Sequence, residues 1–118
     1  MDAQTNTSTI PEDENGTILR RMIANGDDLS KPRITEFLHV FAERPQALAF
    51  AGVVDDRQDE VCISFNDGSE MWDVIVKRHM VPTHEEITAI QSSLAAQAEQ
   101  AGGKADGWGC VTVKKKAA

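Results

Sequence analysis

The stretch RITEFLHVF, residues 33–41, decides the fold. Thr35, Phe37, His39 and Phe41 point one way, and Ile34, Glu36, Leu38 and Val40 the other. That alternation is the period-two signature of a half-buried strand. Which set lies under the helices is open from the sequence.

Working outward toward the C-terminus, Pro45 suits the first turn of a helix over about 44–56, with Leu48, Ala51 and Val54 as its buried stripe. Asp59 to Phe65 alternates again, Val61, Ile63 and Phe65 against Cys62 and Ser64, and is a second strand. Asn66-Asp67-Gly68-Ser69 reads as a hairpin loop in which Gly68 can take positive φ. Met71 to Val81 is a third strand. Thr83-His84-Glu85-Glu86 is a capping box, in which the Thr83 hydroxyl satisfies a free amide and Glu86 reaches back. It opens a helix to about Ala101 with Ile87, Ile90, Leu94 and Ala98 on one face. Gly102-Gly103 stops that helix, and Trp108 to Val113 is the last strand.

Toward the N-terminus, Pro32 and the turn residues Asp27-Asp28-Leu29-Ser30 separate the first strand from a short amphipathic helix over about 16–25. Ile18, Leu19, Met22 and Ile23 form its apolar side, and Asn25-Gly26 its stop. Residues 1–14 hold too few apolar groups to offset the entropy of ordering and read as a disordered tail. Residues 114–118, KKKAA, are a basic tail. One domain over 15–113 remains.

The order is a leading helix followed by β-α-β-β-α-β. Two right-handed crossovers in that pattern imply an α+β, ferredoxin-like sandwich: a four-stranded antiparallel sheet with two helices on one face. The first and third strands would then be central. Cys62 and Cys110 would lie on opposite edges, too far apart to bridge.

The chain has 118 residues, formal charge −7, 41% hydrophobic and 5% aromatic residues. One domain of this size can bury roughly 65% of its unfolded surface. The acidic balance disfavours phosphate-backbone binding, which depends on clustered Lys and Arg, and suits a basic protein partner. Two distant cysteines do not form a disulfide framework, which points to a reducing cytoplasm. No signal-like N-terminus and no apolar run of the roughly 20 residues needed to span a bilayer is present.

No catalytic constellation emerges. Gly102-Gly103-Lys104 lacks the leading glycine, the following Ser or Thr, and the strand-to-helix context of a phosphate loop. His39, His79 and His84 show no metal-ligand spacing, and parity sends His39 and His79 to opposite sheet faces. Cys62 and Cys110 have no nearby His or Lys motif to activate them. Acid pairs such as Asp27-Asp28, Asp55-Asp56 and Glu85-Glu86 are adjacent and splayed. No catalytic residue, metal site or cofactor is expected. A nucleic-acid-binding module on the open sheet face is the alternative function; it needs an aromatic platform, which only a facing that exposes Phe37, Phe41 and Trp72 would supply.

Three segments carry a family resemblance: NGDDLSKPR (25–33), RITEFLHVFAERPQALAFA (33–51) and MVPTHEEITAIQSSLAAQAEQAGGKADGWG (80–109). Together they resemble the regulator of ribonuclease E activity B family of bacterial proteins, over about residues 16–113, with Asp106-Gly107-Trp108 the most specific part. The resemblance implies a ferredoxin-like, non-enzymatic, cytoplasmic protein that binds and inhibits ribonuclease E and so alters RNA turnover. Asp27, Asp28, Arg33 and Trp108 are the partner-binding candidates, with Trp108 also a packing anchor. One departure stands out: the family's named members have a strongly acidic C-terminal tail, whereas this sequence ends in lysines and alanines.

Overall fold

The computed structural model describes residues 10–54 and 59–113. Its elements are α1 (Glu14–Ala24), β1 (Arg33–Phe41), α2 (Arg44–Val53), β2 (Asp59–Asn66), β3 (Met71–Met80), α3 (His84–Gln100) and β4 (Lys104–Cys110). The strands form one α+β sheet in the order β2-β3-β1-β4, antiparallel at every step. β1 and β3 are therefore central, and the free cysteines Cys62 and Cys110 lie on opposite edge strands.

The facing of β1 follows from burial. Arg33, Thr35, Phe37, His39 and Phe41 are all buried, and the residues between them are not. Phe37 sits opposite Val76 and His39 opposite Val74. These side chains join Ala47 and Phe50 of α2 and Ile87, Leu94 and Ala98 of α3 in one core. The Phe50 ring lies 4.7 Å from His39 and 5.3 Å from Phe41. Burying each such phenylalanine stabilises the fold by roughly 1.5–3 kcal/mol. Ile34, Glu36, Leu38 and Val40 face away, opposite His79, Lys77, Ile75 and Asp73 in register. His39 and His79 are thus on opposite faces.

His39 is a polar group inside this core, 2% exposed, with Nδ1 3.3 Å from the Val74 carbonyl. A protonated Nδ1 donates there, which assigns the tautomer. Burial, the largest cause, lowers the His39 pKa from its ordinary 6.5. Above pH 6.5 neither the folded nor the unfolded imidazole is charged, and its contribution is constant. Below 6.5 the unfolded chain takes up a proton that the folded chain refuses, so stability falls as pH drops toward the folded value. The urea midpoint is expected to fall between pH 7.5 and 5.5, and the fall to be shallower in His39→Gln. Equal slopes in the two proteins would remove His39 as the cause.

Several sequence expectations are corrected. α1 begins at Glu14, because the Asp13 carboxylate caps it by accepting from the Gly16 amide at 2.8 Å. Residues 10–14 are accordingly placed, with Ile10 packed on the core, while 1–9 and 114–118 lie outside the described residues. α2 ends at Val53, short of the expected 56; its buried residues are Ala47 and Phe50, Val54 is buried just past its end, and Leu48 is 44% exposed. The aromatic ring, with the largest area to bury, sets the rotation of that helix. The reciprocal cap is at α2, where Gln46 accepts from the Glu43 amide at 3.1 Å. At α3, Thr83 caps Glu86 at 3.1 Å. In the hairpin Glu70, not Gly68, takes positive φ; Asn66 holds the turn by accepting from the amides of Gly68 and Ser69.

The last correction concerns residues 101–110. Gly102 does stop α3, at φ +96°, and the Gly102 and Gly103 amides donate to the Glu99 and Ala98 carbonyls. That is the Schellman arrangement. A Cβ on Gly103 would collide with the Phe41 ring, so the chain turns tightly over the core. β4 then starts at once, at Lys104, and ends at Cys110. Its register against β1 slips between Phe37 and His39, where Asp106 and Gly107 together face Leu38. Gly107, at φ +107°, absorbs that bulge.

Candidate functional site

Arg33 is the first residue of β1 and is 3% exposed. Its Nη1 donates to both carboxylate oxygens of Asp27, at 2.8 and 2.9 Å, and to the Val111 carbonyl at 3.1 Å. Nη2 donates to the carbonyls of Asp28 and Lys31, at 2.7 and 3.1 Å, and Nε to Lys31 at 3.2 Å. Asp27 in turn accepts from the Val113 amide at 3.3 Å, and the Asp28 amide donates to the Val113 carbonyl at 2.8 Å. Two of the partner-binding candidates are therefore occupied by each other. They present no side-chain surface; they clamp the 25–33 loop to the segment leaving β4. Asp28 is half-buried, with its carboxylate accepting from the Ser30 amide and hydroxyl.

Trp108 lies opposite Phe37 on the helix side, half-buried against the core. Its indole N–H donates to Asn15 Oδ1 at 2.9 Å. The Asn15 amide group then donates to Thr88 at 3.2 Å and Gln91 at 2.9 Å. One asparagine thus joins α1, α3 and β4. Sequence reasoning missed Asn15 because nothing local marks an asparagine in a first helical turn as a three-way connector. Trp108 joins no cluster with Arg33 through any of these bonds; the two belong to neighbouring but separate networks.

His84 Nε2 lies 2.9 Å from the Asp13 carboxylate, tying the starts of α1 and α3. The Gly16 amide, and then His84, lower the Asp13 pKa. Burial raises the Cys110 pKa, leaving a protonated and poorly nucleophilic thiol at neutral pH.

The sheet face away from the helices carries two shallow hollows. One of about 330 Å³ is lined by Ile34, Glu36, Gly109, Cys110 and Val111. The other, of about 440 Å³, lies over Leu38, Val40, Asp73, Lys104 and Asp106 among others. Lys77 and Glu36 form a loose ion pair across the face at 3.9 Å. No aromatic ring lies in this register, since Phe37 and Phe41 are in the core and Trp72 pairs with Phe41 on the helix side. The arrangement offers apolar and mixed-charge contacts rather than a base-stacking surface.

At the far edge, Phe65 is 47% exposed and its ring lies 5.3 Å from Trp72. The Arg44 guanidinium sits 5.9 Å over the same indole. The alternation that identifies β2 contains the signal for this patch, because it puts Phe65 at the open end of an apolar row.

No helix among the described residues is long and apolar enough to cross a membrane. No curated protein matches the chain significantly. The family model of the regulator of ribonuclease activity B matches residues 12–110, which spans every element from α1 to β4. The chain therefore belongs to the regulator of ribonuclease activity B family and is a regulator of ribonuclease activity.

Proposed function

We propose that this chain acts by binding a ribonuclease of the ribonuclease E type and lowering its activity, with no chemistry of its own, in the cytoplasm. The observation that carries the reading is the family match over residues 12–110. The non-aromatic, mixed-charge open face supports a protein partner over direct RNA binding. The strand order and the two connecting helices support a ferredoxin-like arrangement, with α1 as an added helix beside α3. Trp108 and Asp28 are the sequence candidates with side chains left partly accessible, while Asp27 and Arg33 would act by holding the backbone between them.

The test is inhibition of purified ribonuclease E on a structured RNA, with RNA binding by this protein measured alongside. Inhibition is expected, and it should weaken as salt rises, because the chain carries −7 and would meet a basic segment. Removing 114–118 should leave inhibition in place and remove any faint RNA signal contributed by the three lysines. Submicromolar RNA affinity at physiological salt that survives this truncation would overturn the reading.

A further inference from the structure

The two edges of the sheet are built differently. β4 carries Lys104 and the bulge at Asp106-Gly107, devices that discourage a further strand from adding. β2 pairs with β3 without a break from Asp59 to Asn66. It contains no lysine, proline or glycine. Alternate residues of an edge strand direct N–H and C=O outward, and among the described residues no strand lies beyond β2. Along the helix side of this edge run Val61 and Ile63, half-buried, and then the exposed Phe65.

The open side of the same edge carries a charge pattern. Glu36 of β1, Lys77 of β3 and Glu60 of β2 occupy one row across three neighbouring strands. The row reads negative, positive, negative, so the next position outward favours a cation. A second copy of this chain pairing through β2 could not supply one, since β2 holds two acids and no base. Two chains of charge −7 would also repel.

We propose that the outer edge of β2 takes up an extended, basic segment of a protein partner as an added strand. Alternate apolar side chains of that segment lie along Val61, Ile63 and Phe65, and a Lys or Arg lies beside Glu60. The proposal rests on the reading of this chain as a protein-binding regulator, and supplies the site and the chemistry of the segment bound.

The probe is a fluorescein-labelled, acetylated nonapeptide alternating valine with arginine and threonine, titrated with the full chain. Binding is expected, and a peptide of the same composition with its valines gathered at one end should bind at least about tenfold more weakly. N-methylation of one alternate set of amides should abolish binding while the other set is tolerated. Glu60→Lys, an exposed change whose fold is checked by circular dichroism, should lose about tenfold for the arginine peptide and gain for its glutamate counterpart. Indifference to alternation or to Glu60→Lys would overturn the proposal. So would a dimer that dissociates on Phe65→Glu, which would mean that a second copy covers the edge. Ribonuclease inhibition, measured in parallel, separates the two readings. If Glu60→Lys inhibits as well as the parent, the edge proposal falls and the regulator stands. If the peptide binds this edge and no ribonuclease responds, the regulator reading falls and the edge stands.

Discussion

Asp27→Ala is expected to destabilise the protein by about 3–5 kcal/mol, because it leaves a buried guanidinium without its countercharge. The Arg33 and Asp27 side chains are 1% and 0% exposed. The carbonyls of Val111, Asp28 and Lys31 would still accept from Arg33, but carbonyl dipoles do not replace a carboxylate. The Val113 amide also loses its acceptor. In a domain of this size the loss should lower Tm by roughly 15 °C or more. A scan showing a shift of only a few degrees would mean that the loop relaxes and lets water reach the arginine.

Trp108→Ala carries the second large effect, a loss of about 3 kcal/mol, toward the lower end for a large aromatic because the ring is only half-buried. The change removes the packing against Phe37 and leaves Asn15 Oδ1 without its donor. A double-mutant cycle with Asn15→Ala should show a coupling of about 1 kcal/mol for that hydrogen bond. Denaturation in urea measures all four proteins. If Trp108→Ala leaves stability unchanged while ribonuclease inhibition collapses, Trp108 is a binding hot spot and not an anchor.

The strands were legible where side chains alternate. β1 has the expected bounds, and the hairpin partners β2 and β3 differ by one residue each, because Val, Ile, Phe and Trp at every second position leave little choice. β4 starts four residues before the expected Trp108 and ends three before Val113. Lys104, Asp106, Gly107 and Gly109 have poor strand propensity, and only pairing with the central β1 makes them a strand. In α2 the sequence stripe names Leu48 and omits Phe50, because the helix's rotation depends on the core that receives it. The site was less legible than the fold. Asp27 looks like a solvated turn charge, and Arg33 like the start of a strand, until the segment after β4 brings Val111 and Val113 over them. Asn15 and Trp108 are 93 positions apart, and no periodicity connects them.

The Asp27–Arg33 clamp also has a mechanical consequence. A strand at the border of a sheet normally frays from its free end, one hydrogen bond at a time. Here the residues just past β4 are fastened to the 25–33 loop at Val111 and Val113. Tension applied from the C-terminal side therefore reaches the Val113 hydrogen bonds to Asp27 and Asp28 before it reaches any pair of the sheet. Unzipping from that side must start against those bonds. Cleavage or ratcheting that pulls on the end of this chain would meet resistance at its first step, and the central β1 would be shielded until that step is complete.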